Sequence, residues 1–92
     1  MVPNPQSEKI LFVDDERSIL SGFKLTLGRE FNLSLAASGA EGLEVFKKEG
    51  PFSVLVFDFM MPEMNGAEFL SEIRKIDQQV VAMLLTGATN FD

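Results

Sequence analysis

Three acids in this chain stand where an acid is expensive. "ILFVDDE" (residues 10–16) ends an apolar run in Asp14 and Asp15, and "VLVFDFMMPEMNG" (residues 54–66) ends another in Asp58. Chains seldom place a carboxylate at the mouth of a hydrophobic strand without a use for it. Two carboxylates about 4 Å apart repel by roughly 4 kcal/mol at an effective dielectric near 20. Without a counter-charge, at least one then holds its proton above the ordinary range. A divalent cation removes the conflict, and an all-oxygen ligand set with room for water suits Mg²⁺, with Mn²⁺ or Ca²⁺ as substitutes. Bound Mg²⁺ invites phosphate oxygens, and a carboxylate beside it can attack a phosphoryl group. Asp58 is therefore a candidate nucleophile.

That chemistry requires the three acids to meet, which depends on the elements carrying them. "KILFV" (Lys9 to Val13) reads as a short strand. A helix should follow, with Ile19, Leu20, Phe23 and Leu27 on one face. The acids fall at its first turn, where they suit the helix dipole. Leu25 lies off the apolar face, which predicts cover on a second side. "FNLSLAA" alternates Phe31, Leu33 and Leu35 with Asn32 and Ser34, the mark of a half-exposed strand. Ser38 and Glu41 form a capping box opening a second helix with Leu43, Val45 and Phe46, closed by Gly50-Pro51. "SVLVF" is a third strand, and a third helix from about Ala67 carries Phe69, Leu70, Ile73 and Ile76. "VVAMLL" (Val80 to Leu85) is a fourth strand, ending at Thr86-Gly87.

The alternation βαβαβαβ calls for a parallel sheet flanked by helices. The alternating second strand is the expected edge, and the continuously apolar strands belong inside. With strand 2 beside strand 1 and strand 3 on its other side, right-handed crossovers put helix 1 on one face and helices 2 and 3 on the other. The chain reverses direction once, between strands 1 and 3, and ligands bind outside the carboxyl ends of the strands flanking such a reversal. Those ends carry Asp14-Asp15 and Asp58. Thr86, at the end of strand 4, can offer its hydroxyl to a phosphoryl group there, and Gly87 leaves room for a backbone N–H to approach it.

Composition narrows the remaining chemistry. The 92 residues allow one domain, and 46% hydrophobic content with nine Phe argues against disorder. A net charge of −6 gives no electrostatic footprint for nucleic acid or an anionic membrane. With neither Cys nor His, disulfides, thiol chemistry, Cys/His metal sites and imidazole bases are excluded. The leader, residues 1–8, lacks the basic and apolar regions of a secretion signal, and no apolar run reaches the roughly 18 residues of a membrane span. A soluble, cytoplasmic domain over residues 9–92 is expected.

"ILFVDDE", "VLVFDFMMPEMNG" and "AMLLTG" together resemble, in order and spacing, the receiver domain of two-component response regulators. The resemblance implies an α/β, flavodoxin-like doubly wound sheet, a (βα)₅ fold expected here without its last βα unit, with strand order 2-1-3-4. It implies Mg²⁺-dependent phosphorylation of Asp58 from the phosphohistidine of a histidine kinase or phosphotransfer protein. It also implies Asp14, Asp15, Asp58 and the backbone carbonyl of Met60 as metal ligands, and Thr86 as the switch hydroxyl.

Several features depart from the family pattern. The family lysine at the end of strand 5 has no counterpart, since no lysine follows Lys75. Strand 5, most of helix 4 and all of helix 5 are expected to lie outside this sequence, and Asn65 stands where the family commonly has Asp. The strand "VVAMLL" reads as buried on both faces with neighbours on both sides, so the sequence is expected to be a fragment. These departures frame an alternative, a phosphorylation-independent module that dimerises or docks through the edge of strand 4. A phosphohydrolase of the haloacid dehalogenase type would need a second acid two residues after Asp58, where Met60 stands.

Overall fold

The computed structural model describes residues 8–85. Its elements are β1 (Lys9–Val13), α1 (Arg17–Leu27), β2 (Asn32–Ala36), α2 (Gly39–Glu49), β3 (Val54–Asp58), α3 (Gly66–Ile76) and β4 (Val81–Leu85). The four strands are parallel in the order β2-β1-β3-β4, as the alternation and crossover rules require. The expected leader falls, apart from Glu8, outside the described residues.

Successive side chains of a strand point to opposite faces, so the continuous apolar runs of β1 and β3 supply two cores at once. Leu11, Val13, Leu55 and Phe57 pack with Phe46 of α2 and Phe69 of α3 on one face. Phe12, Val56 and Leu33 pack with Leu20 of α1 on the other, where Phe12 stacks on Phe23 at 4.3 Å between ring centroids. Helix 1 thus lies on one side and helices 2 and 3 on the other. Gly42 lets α2 close on both neighbours, since a Cβ there would meet Val13 Cγ2 at 2.9 Å and Phe69 Cε1 at 3.1 Å.

The helix starts follow local hydrogen bonding. Ser38 caps α2 by accepting from the Glu41 N–H, while the Glu41 carboxylate reaches back to the N–H of Ala37, one residue before the cap. Asn65 and Glu68 form a complete reciprocal box on α3, which begins one residue earlier than its apolar periodicity suggests. In contrast, α1 starts at Arg17 with Glu16 as an extended N-cap whose side chain makes no capping bond. Its first turn holds no acid, which corrects the expectation of dipole-stabilising acids there. Asp14 and Asp15 stay clear of the helix.

The expected burial of α1 also needs correction. Leu25 is 82% exposed and Ile19 39%, so α1 buries only a narrow stripe centred on Leu20. On β4, Val81, Met83 and Leu84 are 57%, 54% and 48% exposed, so the strand presents the apolar edge expected of it. The strand pairs with β3 along one edge, and no described strand lies along the other.

The β3–α3 loop is anchored by buried Met61 and by the Gly66 N–H donating to the Phe59 carbonyl at 2.8 Å. Within it Glu63 has φ 68°, the left-handed region. That conformation costs an L-residue other than glycine about 1 kcal/mol.

Candidate functional site

The strand register brings the acids together. Val13 of β1 pairs with Phe57 of β3, so Asp14, just past the end of β1, and Asp58, the last residue of β3, lie side by side. Adjacent strands run about 4.8 Å apart. Carboxylate oxygens of Asp14, Asp15 and Asp58 lie within 4.8 Å of one another. Three acids from two chain-distant segments therefore share one lip of the sheet, at the carboxyl ends of the strands flanking its topological switch point.

Their environments differ. Asp14 is 5% exposed, Asp58 is half-buried and Asp15 is exposed. The Asp14 backbone N–H donates to Ala36 at 3.1 Å, and Asp14 Oδ1 accepts from the Glu16 N–H at 2.9 Å. Burial pushes the Asp14 carboxyl above its ordinary range; the Glu16 hydrogen bond offsets part of this, and Asp58, Asp15 and Glu16 add to the rise. Among the described residues, the charged groups acting on Asp14 are thus all acids. Asp58 Oδ1 accepts from the Met60 N–H at 3.1 Å, so this loop amide fixes the carboxylate's orientation. A cleft of about 450 Å³ opens beside the acids, lined by Asp15, Phe59, Met60, Met61, Pro62 and Asn65.

Of the residues singled out in the sequence, the structure gathers Asp14, Asp15, Asp58 and Met60. Met60 joins through its backbone N–H, which donates to Asp58, while its side chain is exposed. Thr86 and Gly87 lie outside the described residues. Two contributors escaped the sequence reading. Asn65 and Glu68 fix the start of α3 behind the loop, and the N-x-x-E spacing was visible in the sequence. Gly66 lets that helix start touch the backbone of Asp58 and Phe59, a steric requirement that no local pattern announces.

The donor set fits a hard divalent cation. It consists of carboxylate oxygens without a neutralising cation acting on the buried member, beside an open cleft with space for water.

The family profile of the response regulator receiver domain matches residues 10–92. The chain belongs to this family. Among solved receivers, the response regulator receiver domain protein of Clostridium thermocellum superposes with a TM-score of 0.83 at 34% identity, over 90% of this chain and 68% of that one. The response regulator TrrA of Thermotoga maritima, solved in complex with Mg(2+)-BeF, gives a TM-score of 0.79 at 34% identity, over 89% of this chain and 71% of that one. The transcriptional regulatory protein CpxR of Klebsiella pneumoniae is 36% identical over 85 residues, covering 91% of this chain and 36% of that protein. This receiver chain spans about a third of the length of the curated relatives it matches. No helix among its described residues is long and apolar enough to cross a membrane.

The raised Asp14 pKa has a stability consequence with a definite sign. Its proton is held more tightly in the folded receiver than in the unfolded chain, where the carboxyl titrates near pH 3.9. The resulting contribution is fully present below that pH and is lost as pH rises through the higher folded value. In the metal-free receiver, ionising this buried and repelled carboxyl therefore costs stability. Asp14→Asn keeps the acceptor for the Glu16 N–H and deletes the charge. In buffer stripped of divalent cations the variant should melt a few degrees above the parent at pH 7, where about 1 kcal/mol corresponds to roughly 4–8 °C for a domain of this size. The difference should close toward pH 3. A constant difference across this range of melting curves would refute the assignment.

Proposed function

We propose that the receiver accepts a phosphoryl group on Asp58, in a Mg²⁺-dependent transfer from the phosphohistidine of a histidine kinase or phosphotransfer protein. The observation that carries this reading is the meeting of Asp14, Asp15 and Asp58 within 4.8 Å at one sheet lip. Asp14 and Asp15, with Asp58 and the Met60 carbonyl, would hold the cation. Bound there, Mg²⁺ would offset the carboxylate repulsion and the charge developing on the phosphoryl oxygens.

The protein's own contribution is orientation. The Met60 N–H occupies Asp58 Oδ1, which leaves Oδ2 to form the new bond to phosphorus. As that O–P bond forms, the P–N bond of the phosphohistidine breaks and the departing imidazole takes its proton from water. No general base is required of the receiver, which suits a site without histidine. The reaction is one phosphoryl group per chain rather than turnover of a free substrate.

Incubation with acetyl phosphate and Mg²⁺ should raise the intact mass by one phosphoryl group, and beryllofluoride should bind in its place. Asp58→Asn should abolish the labelling, and removal of Mg²⁺ should suppress it. Labelling that persists in Asp58→Asn would move the acceptor elsewhere.

A further inference from the structure

On the face opposite α1, a groove of about 560 Å³ runs between α2 and α3. Leu43 and Met64 are half-buried on its floor beside Ala67, and Ser71 lies at one side. Met64 is set firmly, because Gly39 presses against it: a Cβ at Gly39 would fall 2.8 Å from its Sδ. The rim is acidic, with Glu63, Glu68 and Glu72. Glu68 already accepts from the Asn65 N–H, and Glu72 pairs with exposed Lys75. Glu63 makes neither a hydrogen bond nor an ion pair among the described residues.

Glu63 is also a poor choice for the backbone it occupies. At φ 68° a glycine would sit without steric cost, so the fold itself does not call for a glutamate there. Its exposed carboxylate, held at the mouth of an apolar groove, adds negative charge where Glu68 and Glu72 already supply it.

We propose that this groove docks a basic amphipathic helix of a partner protein. The helix would lay its apolar stripe on Leu43, Met64 and Ala67, with its lysines or arginines facing Glu63, Glu68 and Glu72. Charge selects the occupant: an acidic partner is repelled, and so is a second copy of this chain, whose net charge is −6. The groove shares the β3–α3 loop but no lining residue with the cleft beside the acids, and docking there makes no use of phosphoryl chemistry.

The test is an amide NMR titration of the whole chain, without Mg²⁺ or phosphodonor, so its outcome is independent of whether Asp58 is an acceptor. The probe is a designed helix of about 14 residues, with leucines at helical spacing and lysines flanking them. Shifts should concentrate at Leu43 and from Glu63 to Ser71, and the affinity should fall several-fold as salt rises to about 0.3 M. Glu63→Gln should weaken binding by about threefold. Glu63→Gly should weaken it similarly while melting no lower than the parent, separating recognition from folding. The proposal is overturned if the lysine peptide does not bind, if a glutamate-flanked comparator binds equally well, or if Glu63→Gln leaves the affinity unchanged. Shifts mapping to α1 or β4 instead would also overturn it.

Discussion

Phe69→Ala should remove a third or more of the receiver's stability. Phe69 is fully buried where α3 meets the sheet, its ring 5.6 Å from that of Phe57 and against the glycine notch at Gly42. Truncating a buried Phe to Ala costs about 3–5 kcal/mol through lost transfer energy and the cavity left behind. A domain of this length holds only about 5–14 kcal/mol in total. The backbone around the site cannot collapse into the void cheaply, because β1, β3 and α2 all border it and each is paired or packed elsewhere. Denaturant titration should show the midpoint falling by a third or more. Leu25→Ala is the matched control on the other layer: at 82% exposure its change should stay within about 0.5 kcal/mol. A mild Phe69→Ala or a severe Leu25→Ala would mean that the core is not where the packing places it.

The contrast between those two residues also shows what the sequence could convey. Strand periodicity and apolar runs located β1 and β3 within a residue, and topology rules then ordered the sheet and assigned the helices to faces. The meeting of Asp14 and Asp58 followed from order alone, since neighbouring parallel strands bring the residues at their carboxyl ends together. Leu25 and Ile19 were less legible because a helical stripe marks which side faces the sheet, not how far the cover extends. For β4, the run "VVAMLL" expresses a strand's affinity for burial, whereas Val81 and Met83 have only the neighbours that the described residues provide. The acids that follow β1 were misplaced for a local reason. Acids near a helix start look like dipole partners, but here Asp14 turns its carboxylate onto the Glu16 N–H and the helix waits until Arg17.

The charge at the site and the packing beneath it make opposite demands. Asp14 and Asp58 lower stability when both are ionised and no cation is bound, while their positions are fixed by contacts that add to it. Site and scaffold can therefore be varied separately. Replacing a carboxylate should stabilise the metal-free domain and remove function. Disturbing the support beneath should destabilise the domain and impair function together.

Gly66→Ala is the cleanest case of the second kind. A Cβ at Gly66 would lie 2.8 Å from the Phe59 Cα, 3.1 Å from Phe57 Cε2 and 3.2 Å from the Asp58 carbonyl oxygen. Two of these three obstacles are backbone, and the third is a core ring held by Phe69. The main chain at Asp58 and Phe59 must move away from α3, or α3 must retreat and stretch the 2.8 Å bond from the Gly66 N–H to Phe59. Overpacking of this kind costs about 1–3 kcal/mol. The displacement passes directly to Asp58, whose Oδ1 is set by the Met60 N–H in the same loop. Misplacing a reacting group by a fraction of an ångström to 1 Å costs roughly tenfold to a hundredfold in rate. Labelling by acetyl phosphate should therefore slow by at least about tenfold in Gly66→Ala, even at temperatures where circular dichroism shows the variant fully folded. Gly22→Ala, where nothing lies within 4 Å of the added methyl, should leave labelling unchanged and raise the melting temperature slightly through helix propensity. Equal labelling rates in the two folded variants would show that Asp58 is not positioned through the start of α3.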